Sequence, residues 1–510
     1  MSDSSSQTLI ERLASHDVRW WAVAISCLYS VIVVVGNPLP NDDAFGYLLA
    51  AEMFSEQGLN ATLSSYGWYG YSVLIALFDA VMPTDLLMSA HLLNMFFLAL
   101  LVYAFITLAS EINDSQHIQF FAALVILCFP TINEMRYNLV RDFAYWAFVL
   151  TALNQLIRFH RTRNILHATG WMLAMTAAIF FRLEGLLILV LSPLAMLFSG
   201  ESETFDGRAS FLKLVAFMLV GVFLILSMFY LAGINLVEIF NFAYRWYLPL
   251  LGEYPATLRD AADSVKLSTH ISTQLLPFTG KGLLILFVGY VYAVIVNLVM
   301  ALGPAVAFFM VYGFFIYRPN IKKGMLAPWL FFLASALLAL MLFVSIMQFL
   351  TSRYAVMTAL LLLLFLPSLL ETLFKKAQRE NKQKRFSVTV TVVALYFTLD
   401  SLISFGYSKS YIQDAISWSD TALREEPGII TNSPAAAYFL GLTTYNEEIE
   451  NDPAVFLETL PSSTVMILEL PHDASRAHDM LSARNYITEL ARFANNRNDA
   501  MVIYRVGDQP

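Results

Sequence analysis

Pro40-Asn41-Asp42-Asp43-Ala44-Phe45-Gly46-Tyr47 follows directly on the apolar run 19–36. Two adjacent carboxylates at the edge of a hydrocarbon-length segment are costly to hold without water, a partner or a task. Working outward, the 510 residues are 58% hydrophobic and only 14% charged, with a mean hydropathy of +0.61, so the chain is read as a polytopic membrane protein. The net charge of -8 conceals basic residues gathered in a few short loops and acid concentrated after residue 410. Neither a basic nucleic-acid surface nor an acidic tail is present, so no nucleic-acid partner is expected.

A helix needs roughly 20 apolar residues to cross the hydrocarbon. Runs that qualify or nearly so are 19–36, 86–109, 118–133, 141–158, 165–181, 185–199, 211–233, 295–317, 325–349, 355–374 and 386–405, which makes eleven crossings. Two further apolar stretches, Trp68 to Met82 and Lys281 to Asn297, are read as interfacial or re-entrant helices. The Lys/Arg-rich loops Arg158–Arg163, Arg318–Lys323 and Lys375–Arg385 mark the cytoplasm. The expectation is therefore an inner-membrane, multi-pass chain with its N-terminus cytoplasmic and its C-terminal domain periplasmic or extracellular. Met1 to Val18 is polar and carries no cleavable signal pattern. Cys27 and Cys128 both fall in apolar runs, so no disulfide framework is expected.

The last hundred residues change character. Gly428–Asn432, Thr464–Leu470 and Ala500–Val506 read as strands, with helices expected at Pro434–Leu440 and Ala474–Ala483. The fold class is thus an all-α polytopic membrane protein with a small C-terminal α/β extracytoplasmic domain, divided as 1–405 and 406–510.

On this topology the polar residues at the outer face are Asp42, Asp43, Arg136, Arg141, Asp142, Arg182, Glu184, Lys281, Arg353 and Tyr354, with Arg245 in the aromatic run Tyr244–Tyr247. A carboxylate can take a proton from an attacking hydroxyl, and arginine presents paired planar donors to phosphate oxygens. Together they suit transfer of a group from a phosphate-linked lipid. Blander readings stand beside this one. Asn41 and Asp42 are good caps for a helix running from Asp43 to Gln57 and stopping at Gly58. Arg141 and Asp142 are neighbours that do not face each other on a helix, and Arg182 and Glu184 suit interface anchors. His91 and His270 have no ligand-spaced partners.

The order of first anchor, Asp42-Asp43 before Tyr47, amphipathic helix, Gly-Tyr helix, Arg141-Asp142 and Ser352-Arg353-Tyr354 resembles the glycosyltransferase C superfamily. Within it the likeness is to bacterial protein O-mannosyltransferases and lipid A aminoarabinose transferases. The His-Pro-Pro stretch often found after the first loop is replaced by Tyr66–Tyr71. The resemblance implies an inverting enzyme that moves a sugar from a polyprenyl-phosphate donor to a hydroxyl of a glycan, lipid or protein. Asp42 matches the general base, Asp43 the acidic residue after it, and Asp142 the second-loop acid that assists acceptor or metal placement. No cofactor is assigned by the residues. A divalent metal ion near the phosphate is the candidate, with no ligand set named. The competing classes are a transporter or lipid-linked sugar flippase, and an oligosaccharide ligase or polymerase.

Overall fold

The computed structural model describes residues 17–36, 39–65, 69–82, 84–115, 117–198, 207–231, 282–319, 321–403, 409–424, 428–442, 460–472 and 484–507, with a few isolated positions between them. The chain divides into two compact units, one of residues 1–36 with 57–403 and one of 37–56 with 404–510.

The first unit is helical, because its long apolar runs can satisfy their backbone only within themselves in a bilayer. Among the described residues six helices are long and apolar enough to cross a membrane: Arg19–Gly36, Leu86–Ile112, Gly207–Leu231, Leu284–Leu302, Leu326–Met347 and Gln383–Leu402. A seventh is the pair Ser352–Leu363 and Leu366–Arg379, bent by 41° where Pro367 enters the second helix. Five apolar helices are shorter: Tyr69–Asp79, Ile118–Leu127, Ile165–Phe181, Gly185–Phe198 and Pro304–Tyr317. The expected eleven crossings therefore resolve into long, broken and short helices.

One expectation is corrected outright. Lys281–Asn297 is not a separate interfacial piece, because most of it belongs to the continuous helix Gly282–Leu302. The run read as 295–317 is broken instead at Gly303, whose φ of 82° lies in the left-handed region, and Pro304 starts the next helix. Proline removes a helical donor and constrains the residue before it, so the apolar letters continue while the helix does not.

The Leu86–Ile112 and Asp142–Thr162 helices form the buried centre. Trp146 and Trp171 are among the largest wholly buried side chains there. Gly207–Leu231 and Gln383–Leu402 present most of their apolar side chains outward, as helices facing hydrocarbon do. The Asp142–Thr162 helix ends in Arg158 and Arg161, both paired with Glu111 of the Leu86–Ile112 helix. At 21 residues it is about 31 Å long, so Asp142 and the basic end of this helix lie a bilayer-core thickness apart.

The second unit contains a four-stranded mixed sheet in the order β1-β2-β4-β3, from β1 (Ile429–Thr431), β2 (Val465–Leu470), β3 (Ile487–Ala494) and β4 (Ala500–Val506). β1 runs parallel to β2, and the other pairings are antiparallel. Met466, Leu468 and Leu470 of β2 share one face with Val502, Tyr504 and Val506 of β4, which gives the core its period of two. The three expected strands are present, and β3 is an addition. The expected helix at Pro434–Leu440 is observed as Pro434–Phe439, and Ala474–Ala483 lies outside the described residues apart from Leu481.

The Asp42–Gln57 helix falls almost wholly in this unit, not with the membrane part to which its place in the chain assigns it. The buried Phe45 ring meets Tyr438 at 5.7 Å and Phe439 at 5.9 Å. The helix begins one residue earlier than expected and stops at Gly58, whose φ is 81°.

Candidate functional site

In the helical unit, helix ends gather charge around Asp142. The Ile165–Phe181 helix closes at Arg182, which takes extended backbone, and Glu184 precedes the next helix at Gly185. Asp142 opens its own helix, where a carboxylate complements the dipole. Gln348, at a φ of 57°, ends the Leu326–Met347 helix, and the next begins at Ser352, bringing in Arg353.

Asp142 is wholly buried, and both of its oxygens are engaged. Arg182 Nη1 donates to Oδ1, while Arg353 donates Nε and Nη2 to Oδ2 at 3.1 and 2.7 Å. Arg182 also donates Nη2 and Nε to the two oxygens of Glu184, at 2.6 and 3.3 Å. Its guanidinium lies over the rings of Tyr354 and Tyr145, 5.0 and 5.7 Å from their centroids. Burial disfavours the Glu184 carboxylate, and the neighbouring Arg182 more than offsets it, holding the carboxyl below its usual range.

A cavity of about 350 Å³ opens beside this cluster. Arg141, Arg182, Glu184 and Tyr354 form its polar side, and Leu186, Leu187, Leu342, Phe343, Ile346 and Phe349 its apolar side. Arg141 and Arg182 line this polar side with Glu184, and Arg353 stands behind them on the Asp142 carboxylate. Such a site can hold an anion on its polar side and an apolar chain along the other.

The structure thus brings Arg141, Asp142, Arg182, Glu184, Arg353 and Tyr354 together. Arg136 does something else. It is buried, donating Nε to Asn133 and Nη1 to Ser26 and Ser30, halfway along the Arg19–Gly36 helix, with Tyr29 beneath its guanidinium. Its position in a short loop puts it at the outer rim by sequence, but its long side chain reaches back among the helices. Asp42 and Asp43 belong to the other unit, in the first turn of the Asp42–Gln57 helix. Asp42 is 60% exposed there and 3.5 Å from the ammonium of Lys409. Arg245 and Lys281 lie outside the described residues, as do Tyr66, Trp68, Tyr244–Tyr247 and His270.

Tyr145, Phe343 and Phe349 were not singled out by sequence. Tyr145 follows Asp142 by three residues and so shares its helix face, a signal that was there to use. Phe343 and Phe349 carried none, because aromatic residues abound in the chain. Their rings pack on Tyr354, with centroids 4.3 and 6.1 Å away.

Among the described residues no group of three or more His, Cys, Asp or Glu is placed to hold a metal ion. The Asp142 oxygens are already taken by guanidinium groups, so this carboxylate does not fit a metal ligand.

The fold, long and broken apolar helices with a small mixed-sheet unit, has a counterpart among solved structures. It is similar to two crystal structures of ArnT, a lipid A aminoarabinose transferase, from Cupriavidus metallidurans. The apo structure superposes with a TM-score of 0.57 at 13% identity, and the one bound to undecaprenyl phosphate with 0.55 at 12%. Each comparison covers 97% of this chain and 100% of the other. No family model and no curated protein sequence matches the chain.

Proposed function

We propose that this protein is a membrane glycosyltransferase that moves a sugar from a polyprenyl-phosphate donor to a hydroxyl acceptor at the outer face. The observation that carries this reading is the Arg182–Asp142–Arg353 cluster beside a cavity with one cationic and one apolar side. A polyprenyl phosphate has that same division into anion and hydrocarbon. The likeness in fold to an ArnT structure holding undecaprenyl phosphate supports the choice of carrier.

In this mechanism Asp142 is a positioning residue. A carboxylate whose oxygens both accept from guanidinium groups has little basicity to offer, but it fixes the two forks of Arg182 and Arg353. Arg141, Arg182 and Arg353 stabilise the charge that collects on the phosphate as the sugar–oxygen bond breaks through an oxocarbenium-like state. Phosphate leaves as a stable anion, so no general acid is required, unlike the alkoxide expelled in glycoside hydrolysis. Asp42 keeps the general-base role implied by the family resemblance. Its exposure lets it meet an acceptor from water.

The positive-inside tendency supports a cytoplasmic side at the basic loops, and Asp142 lies at the opposite end of its helix from Arg158 and Arg161. On this reading the cluster faces outward, toward a hydroxyl of a glycan, lipid or protein.

Binding of undecaprenyl phosphate to purified protein tests the donor assignment. Arg353→Gln weakens it on the order of tenfold or more, as loss of a charge-assisted pair of bonds does. Equal affinity in parent and variant contradicts the assignment.

A further inference from the structure

The Gln383–Leu402 helix is pinned at its two ends and stands away from the bundle between them. At one end Asn133 donates to Ser401 Oγ at 3.2 Å, and Thr398 donates to Cys128 Sγ at 3.4 Å. At the other the Phe386 ring meets Phe374 and Phe121, with centroids 5.7 and 6.3 Å away. Between the pins lies a cavity of about 730 Å³, walled by residues such as Leu124, Phe309, Leu366, Leu370, Val393 and Phe397. Its lining is hydrocarbon and aromatic but for Cys128, Thr389 and Tyr396. Water has too few polar partners to fill it.

Thr389 belongs also to a second cavity, lined by Asn381, Lys382, Lys384, Arg385 and Val388 at the start of the same helix. Lys382 is paired with Glu380 at 2.7 Å. Lys384 and Arg385 are exposed and have no carboxylate partner among the described residues. An apolar groove thus runs into a mouth with two unneutralised cations, at the end of the bundle that bears the basic loops.

We propose that this groove binds an anionic glycerophospholipid of the leaflet on the basic-loop side, one acyl chain between the helices and the phosphate at Lys384 and Arg385. The groove lies in the helical unit, is distinct from the Asp142 cluster, and does not depend on the transferase reading. Charge complementarity selects an anionic head over a zwitterionic one. The lipid completes the packing of a helix that protein contacts hold only at its ends.

The test is a lipid titration of delipidated protein in uncharged detergent, followed by native mass spectrometry. One equivalent of phosphatidylglycerol is expected to bind saturably, on the order of tenfold tighter than phosphatidylcholine. The double variant Lys384→Gln, Arg385→Gln lowers that affinity by a further factor of about ten or more. Both residues are exposed, and Lys375, Lys376, Arg379 and Lys382 keep the loop basic, so folding and insertion are spared. Val393→Trp fills the groove from its half-open wall and removes the site for both lipids. Equal affinity for the two lipids, or phosphatidylglycerol binding that survives either variant, overturns the proposal. Displacement of the phosphatidylglycerol by a lower concentration of undecaprenyl phosphate overturns the choice of occupant.

Discussion

Arg353 donates Nε and Nη2 to one oxygen of Asp142, at 3.1 and 2.7 Å, across 211 residues of chain. The other oxygen is held by Arg182, so two helix ends from distant parts of the sequence are fastened to the start of a third. The bonded carboxylate is fully buried, and its loss leaves two guanidinium groups with less to hold them.

Removing one partner of a buried ion pair costs roughly 3–5 kcal/mol, because the remaining charge keeps its desolvation penalty without compensation. Asp142→Ala is therefore expected to lower the thermal unfolding midpoint clearly in detergent, and by more than Asp43→Ala, whose side chain is exposed in the first turn of its helix. Equal midpoints for the two variants would remove the cluster's structural role.

Arg353→Lys separates charge from geometry. Lysine keeps one positive charge but lacks the planar fork that holds Asp142. Donor affinity is expected to fall less than in Arg353→Gln, with turnover reduced in both. A lysine variant indistinguishable from the parent in both quantities would mean that charge alone matters.

Acid sensitivity should trace in part to Glu184. Its folded-state pKa is depressed below the ordinary 4.5, burial being outweighed by Arg182. Its contribution to stability is then complete above about pH 4.5 and is lost as the pH falls through the lower folded-state value. Glu184→Gln should flatten the acid limb by lowering the unfolding midpoint above about pH 4.5, where the carboxylate contributes, more than at acid pH. An unchanged acid limb counts against the pairing.

Phe45 ties the helix carrying Asp42 and Asp43 to the C-terminal residues Tyr438 and Phe439. Phe45→Ala is expected to cost about 3–5 kcal/mol through the cavity it leaves. Proteolysis in this unit should rise, and turnover should fall more than donor binding. Loss of donor binding with turnover per bound donor intact would contradict the division of labour proposed above.

Much of the helical unit was legible because apolar runs of bilayer length announce themselves. The failure at 281–317 is instructive, since Gly303-Pro304 carried the break in two letters while the surrounding hydropathy did not change. β3 escaped for the opposite reason: at the sheet edge, its residues are exposed or half-buried on both faces, so Ile487–Ala494 lacks a clean apolar alternation. The Asp142 cluster was legible as a list of charges expected at one face, but its pairings were not. Nothing in a sequence states that residues 40 and 211 positions away complete the same carboxylate. Arg136 misled because loop position fixes where a backbone lies, not how far a long side chain reaches.

The most direct measurement is transfer of labelled sugar from a panel of polyprenyl-phosphate monosaccharides by the purified protein in lipid, comparing the parent with Asp42→Asn. The account predicts transfer from one of these donors by the parent and a fall on the order of a hundredfold or more in a folded Asp42→Asn variant, as loss of a general base produces. Full activity in Asp42→Asn would contradict the base assignment. No transfer from any donor by the folded parent would contradict the transferase itself.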